Sequence, residues 1–135
     1  MKRLVVSIFL LLSVVSLGAC VNQLDKDAQK ARDEVLNYVN DVGKRLREKE
    51  SSSTYKGDLT EKDVKKVYYS GEDFNAYIFV IEEQLYHDPE LKEKAHKYTG
   101  HYIYENDDSH VISEMKFEEL IRNERIPLEK IYDVD

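Results

Sequence analysis

Between Gln23 and about Lys49 the apolar residues Leu24, Ala28, Ala31, Val35, Tyr38, Val42 and Leu46 recur at steps of four and three, which places them on one face of a helix. Such a stripe is stabilised mainly by packing, so the rest of the chain must present an apolar surface to it. The other faces carry Asp25, Lys26, Asp27, Lys30, Arg32, Asp33 and Glu34, then Lys44, Arg45, Arg47 and Glu48. They are acidic early and basic late, the order the helix macrodipole favours. At about 1.5 Å per residue the helix would be roughly 40 Å long, so its first turns read either as packed or as a protruding stalk. Positions 24-31-38 and 28-35-42 also fall on heptads, but too few for a sustained coiled coil, which favours packing on the protein's own sheet. Gly43 interrupts the pattern and marks either a kink or the close approach of a strand.

Beyond the helix the period changes. Glu50 to Asp58, with Ser51-Ser52-Ser53 and Gly57, reads as a loop. Val64 to Tyr69 and Phe74 to Ile81 are rich in β-branched and aromatic residues, and Ser70-Gly71-Glu72-Asp73 between them signals a hairpin. Both registers of the second run are apolar past Ala76, so neither of its faces is plainly solvent. His87-Asp88-Pro89 stops that strand, and Glu90 to Lys97 reads as a charged connector. A second hairpin is expected from Tyr98 to Glu105 and His110 to Lys116, around a turn at Asn106-Asp107-Asp108-Ser109. Phe117 to Arg125 reads as a short helix or an irregular link. Pro127 to Val134 reads as a last strand at an edge, because proline cannot donate to a ladder. The expected fold class is α+β: a long amphipathic helix on a four- to five-stranded antiparallel sheet.

The first residues have a different character. Lys2 and Arg3 are followed by an apolar run from Leu4 to Leu17, interrupted only by Ser7, Ser13 and Ser16, which is the layout of a secretory signal. Leu4 to Ala19 falls short of the roughly 18 to 20 apolar residues of a spanning helix. The run ends in Leu17-Gly18-Ala19-Cys20, which resembles the lipobox of bacterial lipoprotein precursors. That resemblance implies a diacylglyceryl group on the Cys20 thiol and cleavage between Ala19 and Cys20. The expected organisation is a signal peptide over 1–19, a lipidated N-terminus over 20–22 and one α+β domain over 23–135, carried on the extracytoplasmic face of the cell membrane.

Cys20 is the only cysteine, so the domain has no disulfide although disulfides are permitted outside the cytoplasm, and its stability must come from a core. Removing residues 1–19 takes away Lys2 and Arg3 and no acid, leaving 18 basic against 27 acidic residues, a net charge of −9. That balance argues against nucleic acid and against a polybasic hold on anionic lipid. The two acyl chains are then the membrane anchor. With ten Tyr, no Trp and two Pro, most aromatic packing falls to rings that keep a polar tip.

Candidate chemistry is sparse. His87, His96, His101 and His110 have spacings that match no zinc pattern and read as solvated surface residues. Asn106, Asp107, Asp108 and Glu114 lack the glycine and loop length of a calcium loop and read as a turn. Pairs such as Glu82-Glu83 and Glu118-Glu119 read as a solvated charged face. No nucleophile elbow, phosphate loop or dinucleotide fingerprint occurs, so neither an enzyme nor a cofactor is expected. Strand alternation puts Tyr98, Tyr102 and Tyr104 on one side of the sheet. Core packing is the first reading for most of the tyrosines, but if the helix covers the opposite side, this row is exposed and is the candidate surface for a protein or glycan.

The order of lipobox, long helix and meandering strands, ending in Lys116-Phe117-Glu118-Glu119-Leu120 and Pro127-Leu128-Glu129-Lys130-Ile131-Tyr132, resembles the small cystatin-like fold lipoproteins of low-GC Gram-positive bacteria. The resemblance implies a curved antiparallel sheet wrapped on the helix, frequent encoding on mobile elements, and for some such lipoproteins a role in entry exclusion. The Gln-x-Val-x-Gly loop of inhibitory cystatins is absent, so protease inhibition does not carry over. The function expected is a protein-interaction module that regulates or excludes a membrane transport or conjugation component. A carrier of a small ligand or wall fragment, or a structural envelope role, is the alternative.

Overall fold

The computed structural model describes residues 23–49, 55–56, 58–86 and 96–134. Helix α1 (Lys26–Lys49) is followed by β1 (Tyr55–Lys56), a single 3-10 turn (Glu61–Asp63), β2 (Val64–Tyr69), β3 (Tyr77–Tyr86), β4 (His96–Glu105), β5 (Asp108–Ile112), helix α2 (Glu114–Arg122) and β6 (Glu129–Asp133). The strands pair antiparallel in the order β5-β4-β3-β2-β6, and β1 joins the far end of β3. The class is therefore α+β, as expected. The signal peptide, the cleavage point at Ala19 and Cys20, and His87 lie outside the described residues. None of the described helices is long and apolar enough to cross a membrane.

Asp25 starts α1 by accepting a hydrogen bond from the Ala28 amide at 2.8 Å, which satisfies one of the amides that a first turn leaves unpaired. Leu24, Ala28, Ala31 and Val35 are buried against the sheet, so the first turns are packed and do not form a stalk. After Val35 the buried stripe drifts to Leu36, Val39 and Gly43, while Tyr38 and Val42 are half-buried and Leu46 is exposed. Gly43 is buried, which fits the reading of close approach. Asn40 clamps the segment ahead of β2: its side-chain amide donates to the Leu59 carbonyl and its oxygen accepts from the Leu59 amide, at 2.9 and 2.8 Å.

The core beneath α1 comes from Val64 and Val67 of β2, Tyr77, Phe79 and Ile81 of β3, and Tyr102 and Tyr104 of β4. Val64 and Val67 are three apart yet both face inward, because the register between β2 and β3 shifts between Val64 and Lys66, as a bulge allows. The opposite face of the sheet is also covered. Ile78, Val80 and His101 are buried there, and α2 lays Phe117 on His101, ring centroids 4.3 Å apart, and edge-on to Tyr68. The two apolar registers of β3 thus face different sides of the sheet, one beneath α1 and the other on the side where α2 packs on β2 and β4.

Several boundaries move from their expected places. β3 begins at Tyr77 because the turn takes 71–75: the Ser70 hydroxyl accepts from the Ala76 amide, and Gly71 and Asn75 adopt positive φ of 81° and 45°. Phe74 therefore sits in a turn, 52% exposed. β3 runs past Ile81 to Tyr86 because β4 pairs with it through Leu85 and His96, although Glu82, Glu83 and Gln84 break the apolar pattern. The second hairpin closes on two residues, Asn106 and Asp107, both left-handed with φ of 52° and 57°. This is the turn whose twist matches paired strands, and it places β5 at Asp108–Ile112 and leaves Glu114 to Lys116 to α2. β6 lies at an edge, as expected, with Pro127 ahead of it.

Candidate functional site

Tyr98, Tyr102 and Tyr104 do share one side of β4, but it is the side under α1. Tyr102 pairs across from Phe79 and Tyr104 from Tyr77. Tyr102 is 3% exposed, Tyr104 9%, and Tyr98 is half-buried. The row expected to be exposed therefore lies beneath the helix instead. Alternation fixes which residues share a side, whereas the side covered by α1 depends on the whole sheet. Tyr102 meets Tyr38 of α1 edge-on at 6.4 Å, and burial beside Glu83 pushes its hydroxyl well above the usual tyrosine range.

Glu83, expected on a solvated charged face, is instead buried. It is 1% exposed and accepts a hydrogen bond from the Tyr102 hydroxyl at 2.8 Å. Glu82 turns to the opposite face and pairs with Lys97 at 3.1 Å, so the two neighbouring carboxylates never act on one centre. Gly100 makes room for Glu83, since a Cβ there would lie 2.1 Å from its Oε2. Glu118 and Glu119 are exposed and pair with Arg122 and Lys116 within α2.

The histidines do not converge. His96 is exposed, and His110 is half-buried 3.6 Å from Glu105. His101 is 7% exposed rather than solvated, and its burial lowers its pKa against the opposing pull of Glu114 and Glu118. Among the described residues no three metal-ligating side chains come together. Asn106 and Asp107 form the hairpin turn, Asp108 bonds the Ser109 amide, and Glu114 belongs to α2.

The arrangement with the most chemistry lies where α1 begins, beside the two turns. Asp27, Lys30, Asn75, Tyr77, Tyr104, Asn106 and Asp107 line a cleft of about 400 Å³. Asp107 accepts from the Tyr104 hydroxyl at 3.0 Å and from Lys30 Nζ at 3.3 Å. Those two bonds hold its carboxyl below the usual aspartate range, and the same contact holds Lys30 above the usual lysine range. Tyr77 is 7% exposed and stacks on Tyr69 at 4.7 Å. Burial, reinforced by the charges of Asp25 and Asp27, pushes its hydroxyl up to about 12. Composition gave no signal for this cleft, which three positive-φ residues, Asn75, Asn106 and Asp107, bring together.

Two other hollows are less suited to recognition. One of about 450 Å³ lies between Gln23, Leu24, Arg32, Glu61, Lys62 and Tyr132, but Arg32 is already paired with Asp33 at 2.9 Å and Glu61 at 3.2 Å. The other, about 90 Å³, is the apolar gap between Tyr38, Val39, Val42, Tyr102 and Val111. Compared with protein-family models, curated proteins and solved structures, the chain matches none.

Proposed function

We propose that this chain is a lipoprotein of the small cystatin-like kind, anchored through Cys20 to the extracytoplasmic face of the membrane. In this reading it acts as a protein-interaction module that regulates or excludes a transport or conjugation component in the same membrane. The observation that carries the reading is the short distance in sequence between lipobox and core. Leu24 is already buried at 8% exposure, and the four steps from Cys20 to Leu24 can span no more than about 14 Å. A domain held so closely by two acyl chains meets membrane-embedded partners by diffusing in two dimensions.

The alternative, a carrier of a small ligand, calls for an enclosed pocket lined by several tyrosines. The described hollows offer at most two each, Tyr77 with Tyr104 and Tyr38 with Tyr102, which favours the interaction module. The test is Cys20→Ala in cells fed an alkyne-bearing fatty acid. Wild type should be labelled, cleaved after Ala19 and recovered with membranes; the variant should remain an unlabelled, uncut precursor. A variant that is still cut and still acylated would remove the anchor from this reading.

A further inference from the structure

We infer that the cleft between the start of α1 and the two β-turns receives an arginine or lysine side chain from a basic segment of a membrane protein. The first support is charge. Asp27 and Asp107 line the cleft, and the elements that meet there add Asp25 at the start of α1, Glu72 and Asp73 in the first turn and Asp108 after the second, against Lys26 and Lys30; Lys30 is already engaged by Asp107. The second is independent of charge. Tyr77 is more than nine-tenths buried and lines the cleft, yet its hydroxyl makes no hydrogen bond among the described residues. No described polar side-chain atom is both sealed from solvent and unpaired, so that hydroxyl opens on the cleft. A guanidinium or ammonium group placed there would donate to the Tyr77 oxygen beside the Asp27 carboxylate, and a charge-assisted bond of this kind is stronger than a neutral one. Phe74, 52% exposed in the adjoining turn, offers an apolar surface for the methylene stem that precedes such a head group.

The location of the partner rests on the lipid anchor proposed above. With at most about 14 Å of chain between Cys20 and Leu24, this end of the domain faces the bilayer, so the basic segment must lie close to the membrane surface. The bilayer itself is the wrong occupant, because surplus carboxylates are repelled by anionic lipid. The same surplus attracts a basic segment and excludes an acidic one.

The test uses the full-length lipidated protein in phosphatidylcholine nanodiscs, titrated with dye-labelled acetyl-Gly-Arg-Arg-Gly-amide and its Glu-Glu counterpart. The arginine peptide should bind saturably and the glutamate peptide should not. Tyr77→Phe removes only an unpaired hydroxyl, so it should melt like wild type and bind about 10-fold more weakly. Asp27→Asn should bind about 3-fold more weakly. Absence of saturable binding, or equal binding by wild type and both variants, overturns the inference. Spermidine displacing the peptide at equal concentration would overturn the protein partner in favour of a small polyamine. Unlipidated Cys20→Ala protein should bind the peptide as well as wild type. The cleft can therefore fail while the anchor stands, and the anchor can fail while the cleft stands.

Discussion

Position 100 has no space for a side chain. A Cβ there would meet the Glu83 carboxylate at 2.1 Å and the Tyr102 ring at 2.8 Å, both of them buried under α1. Neither neighbour can give way cheaply, because both are buried and moving Glu83 breaks its hydrogen bond from Tyr102. Gly100→Ala should therefore cost about 2 kcal/mol, which for a domain of this size lowers the melting temperature by roughly 8 °C. A melting curve unchanged within a degree or two would mean that Glu83 has a second resting place. This site was hidden in the sequence for a physical reason. A carboxylate at 83 and a glycine at 100 look like ordinary surface and turn residues until β3 and β4 are in register, when Glu83 falls opposite Tyr98 and Ile81 opposite Gly100.

The elements were more legible than their ends. α1 could be read from its stripe and β2 from its composition, because periodicity is set by the face that packs. The turn around Asn106 and Asp107 could be read from its residue types, but where each hairpin closes depends on left-handed conformations at Asn75, Asn106 and Asp107, which composition alone does not fix. The charged tail of β3, Glu82 to Gln84, is strand only because β4 lies alongside. α2 shows the same dependence on context: none of its residues is fully buried, and it is held to the sheet by Phe117 on His101 and Tyr68. That contact has a pH signature. Burial lowers the His101 pKa, with Glu114 and Glu118 opposing, so the unfolded chain takes up a proton before the folded one does. The stability contributed by neutral His101 is present above the unfolded value, about 6.5, and is lost progressively as pH falls from there through the folded value. His101→Phe keeps a ring against Phe117 and removes the titration. Its melting temperature should fall less than that of wild type between pH 7.5 and 5.5, and parallel losses would show that other groups control that range.

At the scale of the whole molecule, one sheet is shared by two helices of unequal commitment. α1 contributes Ala28, Ala31 and Val35, all completely buried, whereas α2 adds a half-buried cover to the other side. Val35→Asp should accordingly unfold the domain, since an unpaired charge in that core costs several kcal/mol; circular dichroism showing wild-type helix content and melting would mean that α1 is not part of the core. The antiparallel meander could be anticipated, but the side of the sheet that α1 would occupy could not, because Tyr102 and Tyr104 on one side of β4 and His101 and Ile103 on the other look equally suited to burial. The route taken by the chain has one further consequence. β5 and β6 lie on opposite edges of the sheet, and α2 carries the chain between them, so β2 keeps an unpaired edge until residues 129–133 arrive. A chain that emerges amino-terminus first, from a ribosome or a secretion channel, can collapse around α1 early, but it fastens only when residues 129–133 come free. β6 is the clasp of the fold, and timing is built into its place after the other five strands.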